Sequence, residues 1–257
     1  MSRPFVPGER VLLVDSKDRR YLVTLREGAE FHSHAGVTAH ADILGQQEGV
    51  TVRSGTGARY VVVRPTLSDF VLSMPRGAQV IYPKDLGPLL LLVDVFPGAR
   101  VLEAGVGSGA LSMALLRAGA SVVGYEIRDD FAAKARANVE SFLGSGSDYT
   151  VVARDVYDGI EEAGLDRVVL DLPEPWRVVG HARQALRAGG ILVSYLPSIV
   201  QVTQLREALA AGPFGLARTI EVLERSWHVQ GQAVRPDHRM VSHTGFLTSA
   251  RLLAPES

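Results

Sequence analysis

Cysteine is absent from the 257 residues. That excludes a disulfide scaffold, a thiolate nucleophile and any Cys-ligated zinc or iron–sulfur site. Lysine is nearly absent too: only Lys17, Lys84 and Lys134 occur among 27 basic residues, and the other 24 are arginines. Arginine forks phosphate oxygens and stacks on bases, so this bias suits an RNA footprint. It equally suits a GC-rich coding sequence, so the positions of particular arginines say more than the total. No apolar run approaches the ~18 residues of a membrane span, because Asp94 and Pro97 cut short the greasiest stretch, residues 89–95. The start, with Arg3, Pro4, Pro7 and Arg10, lacks the apolar centre of a signal peptide. These features predict a cytoplasmic protein with no membrane partner. The net charge of −1 excludes an all-over basic coat, but not a local basic surface for nucleic acid. Hydrophobic residues at 46% and charged ones at 21% are the balance of a globular chain, long enough for one large domain and a small one.

The first sixty residues read as short strands between turns. Val11-Leu12-Leu13-Val14 and Tyr21-Leu22-Val23-Thr24-Leu25 flank a polar Asp15-Ser16-Lys17-Asp18 turn, and Tyr60-Val61-Val62-Val63 follows Ser54-Gly55-Thr56-Gly57. Runs at this spacing predict a small β-barrel or sandwich. After Arg64-Pro65-Thr66, Leu67, Phe70, Val71 and Met74 recur at helical spacing. The boundary is expected near Pro65, giving a β domain over 1–64 and a second domain over 65–257.

From residue 98 strands and helices alternate. Strands are expected over 100–104, 121–126, 149–153, 167–172 and 190–196, with helices over 108–117 and 129–142. Apolar strands joined by helical crossovers make a doubly wound, mostly parallel sheet, an α/β fold with right-handed connections. Residues 216–229 and 244–253 are strand-like around a polar loop, which predicts an antiparallel C-terminal strand pair at one sheet edge.

The segment Val101-Leu102-Glu103-Ala104-Gly105-Val106-Gly107-Ser108-Gly109 runs from a strand through three glycines into a helix. Glycines let the backbone turn sharply against a ligand, and the helix start offers free N–H groups. Seventeen residues on, Glu126 ends the next strand, where a carboxylate accepts ribose hydroxyls. The pattern marks a nucleotide-like cofactor but fits the dinucleotide fingerprint as well. Two later residues favour S-adenosyl-L-methionine. Asp155, after the third strand, suits an adenine amino group, though a helix N-cap explains it too. Asp171-Leu172-Pro173-Glu174-Pro175-Trp176 closes the fourth strand, at the sheet end where ligands gather. It is similar to the acidic-Pro-Pro-aromatic loops of amino-group methyltransferases.

Together these residues resemble the bacterial tRNA adenine-58 N1-methyltransferases. The likeness runs through Arg64-Pro65-Thr66, Met74, Tyr82-Pro83-Lys84-Asp85, residues 101–109, Tyr125-Glu126 and residues 171–176. It continues through Tyr195-Leu196-Pro197 with Gln201-Val202, Arg225-x-Trp227, Val234-Arg235-Pro236 and His243-Thr244-x-Phe246-Leu247. The glycine loop is common to many methyltransferases, whereas the Tyr-Pro-Lys-Asp, Asp-Leu-x-x-Pro-Trp and His-Thr-x-Phe-Leu segments are restrictive together. One departure is the short connection over 117–122. The resemblance implies a class I methyltransferase domain with a Rossmann-like sheet, a small N-terminal barrel for RNA or subunit contacts, and a homotetramer. It implies S-adenosyl-L-methionine as cofactor and methylation of N1 of adenosine 58 in the tRNA T-loop. It assigns cofactor contacts to Gly105, Val106, Gly107, Ser108, Gly109, Ala110, Leu111, Glu126, Phe131, Asp155, Val156 and Asp171. It sets Asp171, Tyr82 and Tyr195 around the target base.

The residue types suit that chemistry. Adenine N1 is a neutral nucleophile whose methylation leaves a positive ring, so a carboxylate at Asp171 favours the developing charge. The tyrosines line a pocket for a base drawn from its stack; packing is the alternative for each. A sulfonium methyl donor needs no strong general base, so positioning carries most of the rate. Phe31-His32-Ser33-His34 invites a metal, since His32 and His34 share a strand face. No carboxylate stands nearby at a ligand spacing, and no metal is expected. Arg225, Trp227, Arg235 and Arg239 in the tail suit tRNA phosphates or bases, or a subunit contact. A methyltransferase acting on protein or small molecules, and a nicotinamide oxidoreductase or inactive binding module, are the alternatives.

Overall fold

The computed structural model describes residues 3–77 and 79–254, and the chain divides into two compact units, Met1–Met74 and Pro75–Ser257. The division falls beyond the expected Pro65 because the helix after that proline belongs to the first unit. This helix, α1 (Leu67–Ser73), starts at a capping box in which Thr66 and Asp69 satisfy each other's backbone N–H groups. Asp69 also accepts from Arg20 at 2.6 Å, and the Arg10 guanidinium lies over the Phe70 ring at 5.0 Å.

The first unit holds β1 (Arg10–Asp15), β2 (Arg20–Thr24), β3 (Glu30–Ser33), β4 (Gly36–Ala39), β5 (Thr51–Arg53) and β6 (Arg59–Val63). Four of these form an antiparallel sheet in the order β2-β1-β6-β5, and β3 and β4 form a separate hairpin. The expected barrel is therefore corrected: among the described residues the sheet is open, since β2 and β5 are not paired with each other. Alternation decides the buried face. In β6 Tyr60 and Val62 point inward while Arg59 and Val61 face out, as period-two geometry requires. They join Phe5, Val11, Leu13, Leu25, Ile43 and Val52 in one core.

The second unit begins with α2 (Pro83–Val93), followed by β7 (Arg100–Ala104), α3 (Ala110–Arg117), β8 (Ser121–Glu126), α4 (Asp129–Leu143) and β9 (Tyr149–Ala153). Then come β10 (Leu165–Leu170), α5 (Val179–Ala185), β11 (Leu186–Leu196), α6 (Ile199–Ala210), β12 (Phe214–Glu221), β13 (Trp227–Gln230), β14 (Ala233–Pro236) and β15 (Phe246–Leu252). Seven strands make one sheet, ordered β12-β15-β11-β10-β7-β8-β9. The five from β11 to β9 run parallel, and β15 pairs antiparallel with both β11 and β12. This is the predicted doubly wound sheet with an antiparallel C-terminal pair. Strands buried on both faces show it in their sequence: four of the five residues of β7 and five of the six in β10 are buried. In α4 the spacing of Phe131, Ala135 and Val139 places all three on the buried side, and Asp129 and Asp130 complement the positive start of the helix dipole.

Two details differ from expectation. β10 stops at Leu170, so Asp171 and Leu172 stand free of the strand at its carboxyl end. The tail is also not one long strand over 216–229: β12 ends at Glu221, and β13 and β14 form their own hairpin. The sequence of strand additions reverses at β7, with β8 on one side and β10 on the other. In open α/β sheets the crevice at such a reversal is where ligands bind.

Candidate active site

The glycine loop is built by backbone geometry that side chains would disrupt. Gly105 has φ of +85°, and a Cβ there would overlap the carbonyl oxygen of Asp171 and lie 2.9 Å from its carbonyl carbon. Glycine therefore lets the end of β7 touch the end of β10, where the Asp171 N–H donates to the Ala104 carbonyl at 2.9 Å. Across the loop, the buried Glu126 carboxylate accepts the Gly107 N–H (3.0 Å) and the Arg128 N–H (3.0 Å). It thus ties the glycine loop to the start of α4 while keeping lone pairs for a ligand.

These elements enclose a cavity of about 430 Å³, within the usual size range of small-molecule sites. Gly105, Gly107, Glu126, Phe131, Asp155, Val156 and Asp171 all border it. A narrow adjoining cleft is bordered by Val106, Ser108, Ala110 and Leu111, again with Gly105, Gly107 and Asp171. Gly109 borders neither; it packs against Ala135 of α4. Asp155 accepts the Tyr157 N–H at 2.9 Å, so the cap and a place in the cavity wall occur together. The Ser108 hydroxyl is buried without a hydrogen-bond partner among the described residues, an orphan of the kind a ligand satisfies.

The electrostatics are set by burial. Asp171 is half-buried, and no side chain or backbone group among the described residues donates to its carboxyl. Desolvation pushes that carboxyl up to about 7. Glu103, buried in β7, is pushed up to about 8 by desolvation, against the opposing Ser112 hydroxyl, which donates to it at 2.6 Å. It borders the narrow cleft with Asp171. Sequence reasoning passed over Glu103, although an acid inside an otherwise apolar buried strand is itself a signal.

The two tyrosines lie away from the walls of both spaces. Tyr82 is the N-cap residue of α2. Tyr195 is buried in β11, and its register neighbour decides its setting. Leu170 lies opposite Ser194, so Asp171, the residue after β10, comes beside Tyr195 near the end of β11. Burial raises the Tyr195 phenol, with the Asp85 and Asp171 carboxylates adding to the effect. A second group missed in the sequence sits beneath it: the buried Lys84 and Asp85, paired at 2.8 Å.

Arg225, Trp227, Arg235 and Arg239 are all exposed, with Trp227 and Arg235 on the β13–β14 hairpin and the other two just outside it. His32 lies on the β3–β4 hairpin and meets Glu30 at 3.4 Å. Among the described residues no three His, Asp or Glu side chains converge as metal ligands, and no helix is long and apolar enough to cross a membrane. His243 joins three segments: its Nδ1 lies 2.8 Å from Glu221 and its Nε2 2.9 Å from the Pro197 carbonyl.

Comparison with known proteins agrees with this architecture. The model of the tRNA methyltransferase complex GCD14 subunit matches residues 59–240, and that of the TrmI-like N-terminal domain matches residues 4–52. The tRNA (adenine(58)-N(1))-methyltransferase TrmI of Thermus thermophilus is 42% identical over 248 residues, covering 95% of this chain and 97% of the relative. The solved TrmI, a tRNA (m1A58) methyltransferase from Aquifex aeolicus, superposes with a TM-score of 0.87 at 29% identity, covering 98% of this chain and 99% of that one. A Thermotoga maritima structure described as a SAM-dependent O-methyltransferase gives a TM-score of 0.94 at 31% identity, covering 99% and 97%. With the glycine loop, the acid ending β8 and the aspartate ending β10 all on one cavity, and with matches across nearly its whole length, the chain belongs to the TrmI family of tRNA methyltransferases, on the class I S-adenosylmethionine-dependent methyltransferase fold.

Proposed function

We propose that the chain transfers a methyl group from S-adenosyl-L-methionine to N1 of adenosine 58 in the tRNA T-loop. The observation that carries this reading is Asp171, whose carboxyl lacks a donor among the described residues and borders the same cavity as the glycine loop and Glu126. The cavity fits the cofactor on the features described above: its volume, the left-handed Gly105, the orphaned Ser108 hydroxyl and the spare acceptor capacity of Glu126. Glu126 would accept the ribose hydroxyls, Asp155 the adenine amino group, and Phe131 and Val156 would supply apolar walls. Ser108 and the loop backbone would hold the amino-acid end. When bound, the cofactor supplies an electrophilic methyl on a sulfonium.

The chain's own part is positioning and field. Adenine N1 starts neutral and ends in a cationic ring, so the group facing it should favour positive charge. Asp171 accepts a hydrogen bond from the exocyclic amine and, ionised, stabilises the charge as it develops. Burial pushes its carboxyl up to about 7, and a positive charge brought beside it draws it back toward the carboxylate. Tyr82 and Tyr195 confine the base, which must leave its stack to reach the pocket. Arg225, Trp227, Arg235 and Arg239 offer a surface for tRNA phosphates and bases, and the first unit adds RNA or subunit contacts.

We also infer a homotetramer acting in the cytoplasm. The β13–β14 hairpin supports assembly, because Trp227, Val229 and Val234 are 57%, 70% and 58% exposed on one short ribbon, and neighbouring exposed apolar side chains mark interaction surfaces.

Two measurements test the reading. S-adenosylmethionine should raise the melting temperature while NAD does not; at a hundredfold excess over Kd the stabilisation is about 2.7 kcal/mol. Labelled methyl should pass from the cofactor to bulk tRNA and not to a metabolite extract. A shift with NAD alone, or label entering only small molecules, would remove the assignment.

A further inference from the structure

Beneath Tyr195 lies a hydrogen-bonded group that none of the roles above uses. Asp85, fully buried in the first turn of α2, is its centre. Its Oδ1 accepts from Lys84 Nζ at 2.8 Å. Its Oδ2 accepts from the Thr244 hydroxyl at 2.6 Å and, more distantly, from the Tyr195 hydroxyl at 3.4 Å. Lys84 Nζ also donates to the Val222 carbonyl at 2.5 Å. The Lys84–Asp85 pair therefore ties together the start of α2, the end of β11, the segment after β12 and the segment before β15.

A buried ion pair is a poor source of stability, because desolvating two charges offsets most of their attraction. What such a pair does supply is orientation, and here the oriented object is Tyr195. The ring of Tyr195 packs closely against Gly245, where a Cβ would come within 2.5 Å of Cζ and 2.7 Å of Cε2. Its hydroxyl turns toward Asp85. Tyr82 is held from the other side, since its carbonyl accepts the Asp85 N–H at 2.9 Å and the Leu86 N–H at 3.1 Å. Those two bonds are backbone ones that any residue at 85 would make, so the Asp85 carboxylate itself acts on the hydroxyl that sets Tyr195.

We propose that Asp85, with Lys84 and Thr244, is the positioning element of the base pocket, holding Tyr195 in fixed relation to Asp171. This rests on the proposed function, because it assumes that the tyrosines confine the target base. Asp85 does not border the cofactor cavity, so the inference separates two quantities. Loss of Asp85 should slow methyl transfer without changing the affinity for S-adenosylmethionine.

The test is a double-mutant cycle of Asp85→Asn and Tyr195→Phe, read as single-turnover transfer to tRNA at saturating cofactor and as the Kd for S-adenosylmethionine by calorimetry. Asp85→Asn should lower the rate about tenfold or more, the effect of losing a hydrogen bond to a charged group. In the Tyr195→Phe background the same change should cost less than about twofold, since coupled residues are non-additive. Thr244→Ser should retain the rate and Thr244→Val should lose it. If Asp85→Asn leaves an unpaired ammonium that prevents folding, Lys84→Gln with Asp85→Asn removes both charges and is measured in its place. Additive losses in the cycle, or a Kd that weakens in parallel with the rate, would overturn the inference while leaving the proposed function standing. A wild-type protein inactive on tRNA would overturn both.

Discussion

Replacing Gly105 by alanine tests the geometry that joins the cofactor loop to the acidic loop. Two costs combine. An L residue at φ of +85° gives up about 1–2 kcal/mol to enter the left-handed region. The new Cβ also overlaps the Asp171 carbonyl oxygen, a backbone atom with no rotamer to escape into; overpacking of this kind costs about 1–3 kcal/mol. The sum is about 2–5 kcal/mol. Gly107→Ala is the internal control, because its φ is +55° but nothing lies within 4 Å of the added carbon. It should lose only the conformational part, about 1–2 kcal/mol. Urea denaturation of the three proteins without cofactor measures both losses, with the slope checked for two-state behaviour. Because relief of the clash must move Asp171, Gly105→Ala should also lose methyl transfer beyond what weakened cofactor binding explains. A Gly105→Ala loss within about 0.5 kcal/mol of wild type, or equal losses for the two variants, would refute the close approach of β7 and β10.

Further outcomes follow from the same site. Asp171→Ala should cut the single-turnover rate roughly a hundredfold or more while tRNA still binds; Asp171→Asn, which keeps shape without charge, should lose nearly as much if field matters more than hydrogen bonding. Rates within about threefold of wild type for both would make Asp171 structural. The carboxyls of Asp171 and Glu103 titrate at about 7 and about 8 in the folded protein, above the ordinary carboxylate value. The folded state therefore keeps protons that the unfolded chain has released, so ligand-free stability should fall as pH rises from about 4 to about 8. Asp171→Asn should flatten that fall in urea titrations across the range, and an unchanged slope would contradict the assignment. Replacing Arg235 and Arg239 with glutamine should reduce the salt dependence of tRNA affinity by about one unit of log–log slope for each phosphate they no longer neutralise; an unaltered slope would return those arginines to the interface between subunits.

Much of the second unit was legible in the sequence because it is written in short-range pattern. Strands buried on both faces read as apolar runs, and the Phe131, Ala135, Val139 spacing announced α4. The glycine loop and Glu126 could be placed against one another because a strand, a turn and a helix start leave little freedom between them. Whether the first unit closes into a barrel was not legible, since closure depends on whether β2 and β5 meet, and that is a long-range choice no local alternation encodes. The domain boundary moved because a proline marks the end of a strand without saying which unit claims the next helix. Lys84 and Asp85 stood in the sequence only as part of the Tyr-Pro-Lys-Asp segment, with no role of their own. Only the fold, by bringing residues 195, 222 and 244 onto them, makes them a buried centre. Glu103 was readable in principle and was hidden by its position inside a familiar glycine motif.

The central claim concerns one atom on one nucleoside, and nucleoside mass spectrometry reads it directly. An unmodified tRNA transcript would be incubated with the purified protein and S-adenosylmethionine, digested and mapped, beside a transcript carrying guanine at position 58. The account predicts 1-methyladenosine at position 58 of the first transcript and no methylation there in the second. Methylation at another atom or position, or an unmodified tRNA alongside a methylated hydroxyl in some other substrate, would contradict it.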